Sequence, residues 1–232
     1  MKTIAALLAF SAAALAGSPA LATERNFSVT SFERIRVDGP FKVTLRTGVA
    51  PFAKASGSSA ALDRVSVDVQ GSTLVVRSSA SSWGGYPGQS VGPAEIIVGT
   101  HDLSQVWLNG AGTLQIDRVR GLSFGVDLQG AGSVAIGNAD VDQLKVGISG
   151  TGSATLAGRA AKLTAIIRGV SSLDATNLQV KDASIGAEGP SQIKANVGGT
   201  LKVDARGTAT IDVAGGPSCT VTAQGSASVT GC

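Results

Sequence analysis

The chain has 232 residues, a formal net charge of +3, 31 glycines and 4% aromatic residues. Neither charge sign gathers into a block, so there is no electrostatic footprint for nucleic acid or an anionic membrane surface. Glycine and serine are abundant, but 43% hydrophobic content in strict alternation argues against disorder, and the length suits one domain with its own core.

The first 22 residues read as an export signal. Lys2 supplies the positive end, Ile4 to Leu15 the apolar run, and Ala20-Leu21-Ala22 a small-x-small cleavage site, so the mature chain is expected to begin at Thr23. The apolar run is too short to span a bilayer, and no later run is longer. Without Lys2 the mature chain keeps 18 basic and 16 acidic residues. The expected location is extracytoplasmic, periplasmic or secreted, with no membrane insertion after signal removal.

Residues 23–31 read as a polar lead-in. Ile35, Val37, Gly39, Phe41, Val43 and Leu45 then alternate with polar residues around a Gly-Pro turn, the pattern of two half-buried strands. Residues 46–61 read as a loop. A second unit carries Val65, Val67 and Val69, a turn at Gly71-Ser72, then Leu74 and Val76. Its second half is shifted by one residue, which predicts a bulge. Residues 78–93 are an irregular Gly/Ser/Pro-rich loop holding Trp83 and Tyr86. Glu95 to Val98 reads as a short strand, and His101-Asp102 as a connector bend.

From Leu103 onward one unit recurs seven times. Its pivot glycines are Gly110, Gly130, Gly150, Gly169, Gly189, Gly207 and Gly225, in steps of 20, 20, 19, 20, 18 and 18. Two before the pivot stand Leu108, Leu128, Ile148, Ile167, Ala187, Ala205 and Ala223; four before stand Val106, Val126, Val146, Ala165, Ile185, Val203 and Val221. Even offsets after the pivot are likewise apolar, and odd offsets mostly polar. Side chains on a strand alternate faces, so each unit is strand, turn, strand with one inward stripe. A fixed period near 20 with column identity predicts a single-domain, all-β parallel β-helix over residues 23–232, with coils of about 18–20 residues.

Stacking explains the columns. Two after the pivot stand Gly112, Gly132, Gly152, Ser171, Ser191, Ala209 and Ala227, all small, as a tight corner requires. The next column, Thr113 to Ser228, can form a polar ladder. Arg168, Glu188 and Arg206 alternate in sign in one column, and Asp174, Lys194 and Asp212 in another, which avoids like-charge neighbours. The connector forming the third side shortens from Asp117–Ser123 to Val197–Thr200, and the inward residues shrink with it, so the helix should taper.

Cys219 and Cys232 are the only cysteines. In an oxidising compartment the expectation is a bridge that closes the last coil, where the third side is missing; the competing reading is two inert thiols.

The turns Gly110-Ala111-Gly112-Thr113, Gly130-Ala131-Gly132-Ser133 and Gly150-Thr151-Gly152-Ser153 resemble those of the head GIN domain family of autotransporter adhesins. So do the openings Phe32–Val43 and Leu62–Val69. The resemblance covers most of residues 27–232. It implies a right-handed β-helix, similar in shape to pectin lyase-like proteins, without a catalytic constellation and with a role in adhesion. The last four turns depart from the Gly-x-Gly pattern, so a function tied to those glycines does not carry across.

Catalytic motifs are weak. Gly88-Gln89-Ser90-Val91-Gly92 matches a nucleophile elbow, but Pro93 follows where a helix is needed. His101 is the single histidine and cannot assemble a zinc site alone. The Gly-x-Gly turns lack the third glycine of a phosphate loop and the aspartate of calcium-binding nonapeptides. No cofactor or metal is expected. Asp127 and Asp204 share an outward column four coils apart, about 19 Å and too far for a glycosidase pair. Asp117, Asp140 and Asp142 lie in connectors and could gather on one side.

Trp107 is outward, three before its pivot, beside Asp127. An exposed aromatic beside polar groups stacks on sugar rings or anchors a partner. The competing reading has the 78–93 loop fold over it as a small cluster with Trp83 and Tyr86. The expected function is an exported, non-catalytic binding or adhesion module of the bacterial envelope, with Trp107, Trp83, Tyr86 and Asp127 as the candidate surface and a glycan or surface protein as partner. The alternatives are a carbohydrate-active enzyme on the same scaffold, or a purely structural envelope protein.

Overall fold

The structure is a computed structural model that describes residues 23–79, 92 and 94–232. Residues 1–22, read as an export signal, and most of the 78–93 loop, including Trp83, Tyr86 and Gly88 to Val91, lie outside the described residues. Among the described residues no helix is long and apolar enough to cross a membrane.

The repeating part is a parallel β-helix. Its strands are β1 (Thr23–Phe27), β2 (Arg34–Asp38), β3 (Lys42–Thr47), β4 (Phe52–Gly57), β5 (Val65–Gln70), β6 (Thr73–Ser78), β7 (Glu95–Thr100), β8 (Gln105–Gly110), β9 (Thr113–Gly130), β10 (Ser133–Gly150), β11 (Ser153–Gly169), β12 (Ser172–Glu188), β13 (Gln192–Val197), β14 (Thr200–Gly207), β15 (Thr210–Ala214), β16 (Ser218–Gly225) and β17 (Ser228–Thr230). The predicted columns are the observed registers: Leu108 pairs with Leu128, Leu128 with Ile148, Ile148 with Ile167, and so on to Ala205 with Ala223. Gly39 and the seven later pivots all have φ between +80° and +124°. L residues rarely adopt that region, so the pivot column is a backbone requirement. A Cβ on Gly132 would lie 2.7 Å from the Gly112 carbonyl oxygen, which accounts for the small residues two places on. In the polar ladder, the Ser133 hydroxyl donates to Thr113 Oγ1 at 3.3 Å.

The third side is strand, not the connector expected from the sequence. β9 to β12 run 17 or 18 residues without a break and pair along all three sides. Their third-side inward residues, Val119, Ala139, Val141, Ala160, Leu178 and Val180, are buried and complete the core. The uneven period is absorbed where the second side turns into the third. Between β10 and β11 the pairing changes from Ile136↔Leu156 to Ala139↔Gly158, an offset of 20 becoming 19. The first two sides therefore keep their columns. At the C-terminal end the third side shrinks to Gly198-Gly199 between β13 and β14, and alanines, Ala187, Ala195, Ala205 and Ala209, enter the core beside Val197, Leu201, Val203 and Ile211.

The N-terminal end departs from chain order. β2 and β3 stack on β8 and β9 on one side and on β6 and β7 on the other, all parallel. The strands β6 and β7 thus lay a further coil outside the first one. That outer coil is covered by antiparallel strands, β5 on β6 and β4 on β7, with β1 beyond β4. Three expectations change. The lead-in forms β1. The 46–61 stretch contains β4 and a helical turn at Ser59–Leu62, whose N-cap hydroxyl on Ser58 accepts from the Ala61 amide at 3.2 Å. Its inward residues, Ala53 and Ala55, are too small to give a strong apolar alternation. The bulge at 65–76 is absent. β5 and β6 form an unbroken hairpin in which Val69 faces Leu74 and Val67 faces Val76. Partners across a two-residue turn differ by an odd number, which shifts the parity without an inserted residue.

The last coil is closed covalently. Cys219 and Cys232 have Cα atoms 5.6 Å apart and are joined by a disulfide. Cys219 packs partly buried against the core.

Candidate functional site

The strand before each pivot forms the first side of the solenoid. Its central outward column runs Val75, Arg36, Trp107, Asp127, Gly147, Ile166, Gly186 and Asp204, each paired in register with the next. Period-two alternation places these side chains outside, because their neighbours on each strand fill the core.

Trp107 is partly exposed, between Arg36 and Asp127. It lines a depression of ≈ 460 Å³ with Arg36, Gln70, Val75, Asn109 and Gln129. Val75 is outward by parity yet only 7% exposed, and it lies apart from the main core. The rim is fixed by hydrogen bonds. Arg36 Nε lies 2.9 Å from Asp38, and the Asn109 amide donates to the same carboxylate at 2.6 Å. Asp127 accepts from Gln105 Nε2 at 2.7 Å. The Gln105 side chain lies across Gly125, where a Cβ would collide with it, so this glycine makes room for the contact. Trp83 and Tyr86 lie outside the described residues.

Two further depressions, each ≈ 220 Å³, follow along the same column. Both are lined by Asp127, Gly147 and Ile166. Ile166 is 48% exposed. The sequence reading missed Val75 and Ile166. The available signal was an apolar residue at outward parity, visible three before Gly169 for Ile166.

Asp127 and Asp204 do not form a pair of the kind that breaks glycosidic bonds. Asp127 and Asp204 are four registered steps apart, about 19 Å at the usual strand spacing. Asp117 accepts from the amides of Thr47 and Arg118 at 3.0 and 2.6 Å. Asp140 binds Arg159 through two contacts at 2.7 and 3.0 Å, and that hydrogen bond holds its carboxyl below the usual range. Asp142 lies in the same third-side depression as Asp140 and Arg159, on β10, five register positions from the residue opposite Asp117 of β9. Among the described residues no group of three His, Cys, Asp or Glu side chains is placed to hold a metal ion. His101 is exposed at a bend, where its carbonyl accepts from the Gly48 amide.

The alternating charges are used locally. Arg168 Nε lies 3.1 Å from Glu188 on the next coil, whereas Arg206 turns to Asp204 on its own strand. Exposed pairs of this kind add only about 0–1 kcal/mol each.

Solved structures share the fold. A putative adhesin from Bacteroides fragilis superposes with a TM-score of 0.80 at 19% identity, covering 90% of this chain and 95% of that one. A putative lipid binding protein from Parabacteroides distasonis gives 0.70 at 16% identity, with the same coverage. A putative adhesin from Parabacteroides merdae gives 0.65 at 16%, again over 90% and 95% of the two chains. No curated protein matches the chain. The family model described as "Putative auto-transporter adhesin, head GIN domain" matches residues 31–217, which is most of the solenoid, and the chain belongs to that family.

Proposed function

We propose that the protein is an exported, non-catalytic adhesin-like module of the bacterial envelope, delivered by the signal at 1–22, that binds a surface glycan or protein through the first-side face around Trp107. The observation that carries this reading is the indole itself. It stays partly exposed in a depression that it shares with Arg36, Val75 and the amides and hydroxyl of Gln70, Thr73, Asn109 and Gln129. An indole offers an apolar face and one N–H donor, and such residues dominate the energetics of contact surfaces. Family membership supports adhesion, and the engagement of Asp117 and Asp140 by the protein's own groups supports a role without catalysis.

A screen of the full chain against glycans, envelope components and intact cells tests the reading. Trp107→Ala should weaken binding by about 2 kcal/mol, roughly thirtyfold, with the melting temperature unchanged. Unchanged affinity would remove Trp107 from the site. Bond cleavage in a polysaccharide panel, abolished by Asp127→Asn or Asp142→Asn, would overturn the non-catalytic assignment.

A further inference from the structure

Resting on the Trp107 reading, we propose that the ligand is a neutral, extended oligosaccharide laid along the solenoid axis, stacked on Trp107 at one end and on Ile166 at the other. The three depressions on the first side are parts of one track. The first and third share Gln129, and the second and third share Asp127, Gly147 and Ile166. The track follows the column Trp107, Asp127, Gly147, Ile166, and so runs across the strands, parallel to the axis. Three steps at about 4.8 Å place its two apolar ends roughly 14 Å apart. A pyranose unit in an extended chain advances by a length close to one coil, about 5 Å, so successive rings meet successive coils.

Three observations select this ligand class. A peptide strand would bind by main-chain pairing at a free sheet edge. Here β8 is bonded to β2 and β9, β9 to β8 and β10, and β10 to β9 and β11, so the track has no free edge. Arg36 is offset by Asp38 and Arg168 by Glu188, while Asp127 accepts from Gln105 Nε2, with Lys145 lining the same depression. That favours a neutral ligand over an acidic one. Between the two apolar ends the lining offers an amide and hydroxyls, Gln129, Ser149 and Thr164, suited to sugar hydroxyl groups. Gly147 keeps the floor low: a Cβ there would reach Asp127 Oδ1 at 2.9 Å.

Titration calorimetry with cello- and manno-oligosaccharides, from the monosaccharide to about the hexamer, tests this on the full chain. Affinity should rise at least about tenfold between monomer and tetramer and then level off, as three coil steps require. Gly147→Val should abolish the rise with chain length. Ile166→Ala, which alters an exposed side chain only, should move the plateau to a shorter chain, so the proposal stays testable if the glycine variant misfolds. Equal affinity at every length overturns the axial track and leaves the Trp107 site standing. Trp107-dependent binding to cells or to a protein, with none of these sugars bound, overturns the glycan assignment alone. If no probe and no cell surface binds in a Trp107-dependent way, both readings fail together.

Discussion

Removing Cys232 should melt the last coil and leave the rest of the solenoid folded. β16 and β17 stack only on β14 and β15, with nothing described beyond them. Their apolar contribution is small. Val221 is 41% exposed, while Ala227 and Val229 are only partly buried against the core. Full burial of a valine stabilises by about 1.5–3 kcal/mol, so these residues together supply little more than one such side chain. The disulfide joins residues 13 apart. Closing a loop of that size in the unfolded chain contributes about 3 kcal/mol, as much as the apolar contacts. In a linear array, stability is a sum of repeat and neighbour terms, so the loss should stay local. Hydrogen exchange on Cys232→Ala reads it directly. The Ser218, Ser226 and Ser228 amides donate to Gly199, Gly207 and Ala209 on the preceding coil. They should lose about two decades of protection, at roughly 1.4 kcal/mol per decade. The Ser133 and Ser153 amides, bonded to Gly112 and Gly132 in the middle of the solenoid, should keep theirs. Unchanged protection at 218–228, or a uniform loss along the whole chain, would refute the reasoning.

Two other predictions concern the corners. Gly130→Ala should cost about 1–3 kcal/mol in urea unfolding, because φ is +109° and the added Cβ would meet the Gly110 carbonyl oxygen at 2.7 Å. Gly186→Ala is the control: its nearest neighbour is 3.9 Å away and its φ is ordinary, so stability should stay level or rise slightly, and equal losses at the two sites would sink the corner argument. The Asp182 carboxylate accepts from Thr200 Oγ1 and the Thr200 amide at 2.6 and 3.0 Å, and these bonds hold its pKa below the ordinary value. Asp174 is lowered in the same way by Thr176. A depressed folded pKa stabilises above the unfolded value, about pH 4, and that contribution disappears as pH falls through the folded value. The urea midpoint should therefore drop on acidification below about pH 4. Asp182→Asn should flatten that limb, and an unchanged acid limb in the variant would exclude this carboxylate as a source.

The sequence by itself determined the period, the inward columns, the glycine pivots and the small-residue corners. Each coil repeats the same geometry against its neighbour, so Leu108, Leu128 and Ile148 must answer one another, and a column can be read without knowing where it lies in space. The same logic marked Cys219 and Cys232 as a pair able to close the final coil. It failed where no repeat constrains the chain. Val65, Val67, Leu74 and Val76 alternate as a coil would, but long-range pairing turned them into an antiparallel hairpin and set β6 outside β2, ahead of its place in the chain. The third side was not legible as strand because its apolar column is interrupted by the small Ala139 and Ala160 and its corner slips by one residue between coils. Trp107 and Asp127 were legible as neighbours, since they occupy one column. The continuous track from Val75 to Ile166 was decided only by tertiary structure: its first two members come from β6 and β2, which the fold stacks in the reverse of their sequence order.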